Sequence, residues 1–93
     1  MREAVRVHAT VRGRVQMVGF RAFVLRRAAE LGLRGTVANR GDGSVECVVE
    51  GPKDAVDTLI QFLRQGPRSA RVEAVEVVEQ PFRGDMPSMT VTA

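Results

Sequence analysis

The stretch Gly13-Arg14-Val15-Gln16-Met17-Val18-Gly19-Phe20-Arg21 holds the residues best placed to do chemistry. A glycine at each end of 13–19 and the lack of a sustained period mark a loop, and a helical pattern begins at Phe20. A loop that runs into a helix N-terminus presents backbone N–H groups and the positive end of the dipole, which suits an anion. Arg21 falls in the first turn of that helix, where a cation is disfavoured by about 0.3–1 kcal/mol at an exposed site. An anion lodged between guanidinium and loop turns that repulsion into two attractions, and the planar guanidinium fork matches phosphate. Taken alone, Arg21 reads equally well as a surface arginine whose stem packs along the helix. The loop is neither GxxxxGK[ST] nor GxGxxG.

Asn39 is the second candidate. It ends a strand and precedes Arg40-Gly41-Asp42-Gly43, so by itself it reads first as a turn-former. Its amide can also orient water. The Arg40-Gly41-Asp42 triplet reads as a hairpin tip rather than an adhesion motif.

The elements that must position these residues follow from periodicity. Val5, Val7, Ala9 and Val11 alternate with Arg6, His8, Thr10 and Arg12, the signature of a strand with one buried face. Phe20, Val24, Ala28 and Leu31 form a helical stripe, with Gly32 suited to a left-handed cap. A second strand spans about Leu33 to Asn39. A third follows the turn, where Val45, Cys47 and Val49 alternate with Glu46, Val48 and Glu50. Gly51-Pro52 opens a second helix with proline in its first turn. Its core stripe is Val56, Leu59, Ile60 and Leu63, and Gly66-Pro67 ends it. A fourth strand covers roughly Val72 to Glu79, with a slip between Val72 and Val75 that reads as the start of the strand or a bulge. Glu73, Glu76 and Glu79 mark a solvated edge. The tail from Pro81 to Ala93 is looser, with Met89 and Val91 suggesting a short edge strand.

The order β-α-β-β-α-β predicts an α+β, ferredoxin-like sandwich: two helices on one face of a mainly antiparallel four-stranded sheet, with room for a short fifth strand. In that topology the first and second strands run parallel with the third between them. The carboxyl ends of the first two then share one sheet edge, so Asn39 can face the same pocket as Arg21.

Composition narrows the field. Ninety-three residues, 44% hydrophobic and 27% charged, are expected to form one folded domain over residues 1–93. One cysteine excludes an internal disulfide and a cysteine-cluster metal site, and Cys47 is expected in the core. The lone histidine, His8, removes the usual Ser/His and multi-His schemes. No apolar run nears the roughly 18 residues that cross a bilayer, and the first residues do not read as a signal peptide, so a cytoplasmic location is expected. Residues 1–40 carry a balance of +7 and residues 41–93 a balance of −4, which fits an anionic partner.

Two segments resemble the acylphosphatase family. Val11-Arg-Gly-Arg-Val-Gln-Met-Val-Gly-Phe-Arg21 is similar to its phosphate-binding loop and catalytic arginine. Gly35-Thr-Val-Ala-Asn39-Arg-Gly-Asp-Gly43-Ser-Val45, followed by Gly51, is similar to the segment with its catalytic asparagine. The Gly-Pro and helix that follow, and the run Ala70–Val75, also look like the family. Met17 stands where the family usually has glycine, sometimes histidine, and Thr36 replaces a usual aromatic residue.

The resemblance implies hydrolysis of acyl phosphates to carboxylate and inorganic phosphate, without metal or other cofactor. It assigns Arg21 and the backbone N–H groups of Gln16, Met17, Val18 and Gly19 to the phosphoryl oxygens, and gives Asn39 the attacking water. The expected partners are an acyl phosphate and its product phosphate, with neither nucleic acid nor membrane, and the chain is expected to work as a monomer. The rival is a non-catalytic ferredoxin-like module that binds an anion or RNA. The open sheet face offers Arg6, His8, Thr10, Glu46, Val48 and Glu50, with no tyrosine or tryptophan in the chain, which argues against base stacking.

Overall fold

Alternation in the first strand translates directly into structure. In the computed structural model Val5, Val7, Ala9 and Val11 are buried, while Arg6, His8 and Thr10 on the other face are half-buried. The structure describes residues 3–92; Arg2 of the basic half and Ala93 at the end of the tail lie outside the described residues. The elements are β1 (Ala4–Arg14), α1 (Phe20–Glu30), β2 (Arg34–Asn39), β3 (Val45–Pro52), α2 (Lys53–Gln65), β4 (Arg71–Gln80) and β5 (Thr90–Val91). The sheet order is β4-β1-β3-β2-β5. β1 pairs antiparallel with β3 and β4, β2 antiparallel with β3, and β5 parallel with β2. Both helices pack on one face, which makes this a ferredoxin-like α+β fold on a mixed five-stranded sheet.

Between the layers lies one apolar cluster. α1 contributes Phe20, Phe23, Val24 and Ala28, and α2 contributes Val56, Leu59 and Leu63 against the valines of β1, β2 and β3. Leu31 and Ile60 pack at its margin. Arg27 joins the helices, its guanidinium 5.6 Å from the Phe23 ring centre and 4.5 Å from that of Phe62. Cys47 is buried, and burial, with Glu46 adding to it, pushes its thiol up to about 12, leaving it neutral and unreactive.

Two boundaries differ from the periodicity reading, and the slip near Val72 is a bulge. β1 runs on through Gly13 and Arg14, so the loop proper is Val15–Gly19. Arg12 pairs with Ala74 but Gly13 with Val72, which makes Glu73 the extra residue of a bulge. Gly13 sits at φ +129°, and a Cβ there would lie 2.2 Å from the carbonyl oxygen of Arg71. Only glycine permits so close an approach. Pro52 is not in the first turn of α2. It ends β3 opposite Ala4 and precedes the helix at φ −58°, ψ 140°. A missing N–H is tolerated at a strand end.

Glu50 was expected on the open face, yet it is buried, because the tail folds across it. Its carboxylate accepts hydrogen bonds from the N–H of Arg83 (2.8 Å), the N–H of Gly84 (3.1 Å) and Nη1 of Arg6 (3.2 Å). Farther along, Arg34 Nε donates to the Met86 carbonyl (2.8 Å) and Gly35 N–H to that of Pro87 (2.9 Å). These contacts guide the tail to β2, where β5 adds as the expected short fifth strand. Burial pushes the Glu50 carboxyl up, but the Arg83 N–H, the Arg6 guanidinium and the Gly84 N–H outweigh it and hold the group below its ordinary value of 4.5. A carboxyl lowered by folding adds stability that is complete above its unfolded value and is lost as pH falls through its folded one. Glu50→Gln is therefore expected to cost about 1–3 kcal/mol at pH 7, with the gap from the parent protein narrowing once pH drops below the glutamate range. Urea unfolding at pH 7, 5 and 3 checks both; a gap constant across that series would contradict the assignment.

Candidate active site

The loop Val15–Gly19 turns sharply because two of its residues are left-handed: Met17 at φ +61° and Gly19 at φ +79°. Gly19 precedes α1, which has no side-chain cap and no acidic residue in its first turn. The positive end of the helix therefore opens onto the loop, with Arg21 inside that turn. Acidic residues normally occupy such positions, so the local charge is reversed in favour of an anionic ligand.

Arg21 and Asn39 meet at one cavity of about 330 Å³, which Met17 and Gly19 also line. The shared edge inferred from topology is realised: β1 and β2 deliver their carboxyl ends to the same side of the sheet. Asn39 pairs with Val45 at the last position of β2. Its Oδ1 is buried and has no hydrogen-bond partner among the described residues. Such an oxygen costs about 1–3 kcal/mol when left unsatisfied, and the residue that carries it lines the cavity.

Gln16 and Val18, expected to bind phosphate through the backbone, are not part of the cavity lining. The Gln16 side chain does other work. Its Nε2 donates to the carbonyls of Arg40 (2.7 Å) and Ser44 (2.9 Å), clamping the loop to both arms of the β2–β3 hairpin. Val18 packs on the core, and its carbonyl accepts from Ser69 Oγ at 3.1 Å. The hairpin is itself stiffened. Arg40 N–H donates to the Ser44 carbonyl (2.8 Å), and Asp42 Oδ1 accepts from both Ser44 Oγ (2.6 Å) and Ser44 N–H (3.0 Å). These Ser44 donors, joined by Arg12, bring the Asp42 carboxyl down to about 2. Gly43 supplies the positive φ, +92°, that the Asp-Gly pair promised. Loop and asparagine are thus held relative to each other by these hydrogen bonds as well as by Val15 and Val18 in and against the core.

The rest of the wall is apolar: Val15 and Phe20, and three residues not anticipated as part of the site, Ala22 and Leu25 of α1 and Val91 of β5. Leu25 carried a signal, since it is apolar but falls off the stripe that faces the core. Val91 carried none, because its place depends on pairing with β2 some fifty residues earlier. His8 is outside the cavity, with Nε2 3.0 Å from Glu46 Oε2 on the open sheet face. Among the described residues no three histidine, cysteine, aspartate or glutamate side chains are grouped to hold a metal ion.

A ferredoxin-like sandwich with a basic cavity at the mouth of its first helix defines a small anion-handling α+β protein. Its sequence matches the profile of the Acylphosphatase family over residues 7–90. The acylphosphatase of Thermus thermophilus is 58% identical over 72 residues, covering 77% of this chain and 82% of its own. That of Caldivirga maquilingensis is 51% identical over 85 residues, covering 90% and 87%. The crystal structure of acylphosphatase from Bacillus subtilis superposes with a TM-score of 0.92 at 32% identity, over 96% of this chain and 99% of that one. The chain belongs to the acylphosphatase family.

The clamp can be tested directly. Gln16→Ala removes two short hydrogen bonds, an exposed one to Arg40 and a partly buried one to Ser44, for an expected loss of about 1–3 kcal/mol. Urea unfolding measures it, and an unchanged midpoint would mean that the clamp contributes nothing.

Proposed function

We propose that this chain hydrolyses acyl phosphates at the cavity between Arg21 and Asn39. The observation that carries the assignment is that Asn39, whose buried Oδ1 has no hydrogen-bond partner among the described residues, lines one cavity together with Arg21. Arg21, the loop backbone around Met17 and Gly19, and the positive end of α1 take the phosphoryl oxygens. Water donates one O–H to Asn39 Oδ1, which turns an oxygen lone pair toward phosphorus, in line with the leaving carboxylate.

The water oxygen forms a bond to phosphorus as the bond from phosphorus to the acyl oxygen breaks. The carboxylate departs with that electron pair. One water proton passes to a non-bridging phosphate oxygen, so acyl phosphate dianion and water become carboxylate and dihydrogen phosphate. The anhydride is already activated and its leaving group is good, so the barrier can be lowered chiefly by positioning and charge stabilisation. No side-chain base is required, because the substrate's own phosphate receives the proton. Under this reading residues 1–93 act as one domain, a monomer working in the cytoplasm on a small diffusible substrate without metal or cofactor.

The two side chains have separable roles. Arg21→Ala is expected to abolish both hydrolysis of benzoyl phosphate and inhibition by inorganic phosphate. Asn39→Ala is expected to lower kcat by about 10²-fold or more, in the range seen when a preorganised polar group is removed, while phosphate still inhibits. EDTA should leave the parent rate unchanged. Equal phosphate inhibition in Arg21→Ala, or a rate that needs added metal, overturns the reading.

A further inference from the structure

The cavity is larger and less polar than phosphate chemistry needs. Its volume of about 330 Å³ corresponds to on the order of ten water volumes, well beyond one phosphoryl group and an attacking water. Its polar side chains, Arg21 and Asn39, stand at the start of α1 and the end of β2, and the other side chains lining it are hydrocarbon or thioether. Leu25 follows Arg21 by four residues and Ala22 by three, so the three share a helix face, with Leu25 roughly 6 Å along the axis from Arg21. Val91 of β5 completes the wall.

Two features single out the rim. Five large hydrophobic side chains are exposed among the described residues, and two of them, Met17 (99%) and Val91 (40%), line this one cavity. Isolated exposed apolar residues are ordinary, but a pair beside one cationic cavity is a local surplus. Met17, moreover, holds φ +61°, a conformation that glycine or asparagine adopts more readily, and its exposure leaves it almost no packing contact to offset the strain. A flexible thioether that is free to fold over a ligand suits irregular apolar partners.

We infer that the site prefers acyl phosphates whose acyl group is apolar, an alkyl chain or aromatic ring lying against Ala22, Leu25 and Val91 with Met17 closing over it. This rests on the acylphosphatase reading above and adds the chemical class of the group that leaves as carboxylate. Phosphoryl recognition is polar and sits at the helix mouth; acyl recognition is apolar and lies one turn along α1.

The test compares kcat/KM for hexanoyl phosphate and acetyl phosphate, which share the reacting bond and differ by four methylenes. Hexanoyl phosphate should be favoured about tenfold or more, given what each buried methylene contributes. Met17→Asn, which suits the left-handed backbone, and Val91→Ser, on a separate element, should each cut that ratio about threefold. Inhibition by inorganic phosphate, which has no acyl group, reports the phosphoryl end and should persist in Val91→Ser, whose residue lies on β5, outside the phosphoryl-binding loop. Hydrolysis of both substrates at equal kcat/KM would overturn the apolar preference while leaving the acylphosphatase reading intact. Hydrolysis of neither would overturn both. A ratio that survives both substitutions would overturn the assignment to this wall.

Discussion

Two parallel strands kept apart by one antiparallel neighbour are the constraint from which the site follows. β1 and β2 flank β3, so their carboxyl ends emerge at the same edge, separated by two strand spacings, or roughly 10 Å. That gap is too wide for two short side chains to share a small ligand. It is bridged by a loop that curls back after β1 and by the long side chain at the start of α1, while the short Asn39 stays at the end of its strand. The sheet sets the distance, and residue length divides it.

Electrostatics then selects the occupant. A helix with neither side-chain cap nor acid in its first turn is weakly destabilised by Arg21, an amount small beside the 5–15 kcal/mol net stability of a typical domain. The fold can therefore carry the misplaced cation permanently. The cost matters only locally, as a preference for an anion when one arrives. The same logic covers Asn39: a buried unsatisfied oxygen is a tolerable penalty for the whole molecule and a specific demand for a donor at one point. Rigidity turns these demands into geometry, and here it comes from the Gln16 amide bound to the hairpin at 2.7 and 2.9 Å.

What could be read from the residues divides along range. Val5, Val7, Ala9 and Val11, the stripe through Phe20, Val24 and Ala28, and the Asp42-Gly43 turn are local patterns with local causes, and they place Arg21 and Asn39 at one edge without further information. The slip near Val72 was visible as a break in alternation, although its cause, Gly13 pressed against the Arg71 carbonyl, lies on another strand. The Gln16 side-chain clamp left no trace in the sequence, because loop position says nothing about where an amide side chain will find carbonyls twenty-four and twenty-eight residues away. Glu50 looked solvent-facing because its alternation is correct and only the tail, thirty-three residues later, covers it. Long-range hydrogen bonds leave no period to detect.

The tail joins these two kinds of information. Without it, β2 would be an edge strand with unpaired backbone groups, and the cavity would lack the wall that Val91 provides. Parallel pairing over only two residues is weak by itself, since short two-stranded contacts are marginal in water. It persists because the chain is anchored upstream, where a buried carboxylate gathers the N–H groups of Arg83 and Gly84 together with Arg6. Fixing residues 83–87 shortens the free segment that must close onto β2, and with it the loop entropy opposing β5. The acyl-side wall is therefore set by an ionic anchor at the far end of β3, outside the cavity and bound to nothing in it. A charge buried by the tail thus anchors the chain that carries Val91, just as the Gln16 amide anchors the loop that carries Met17.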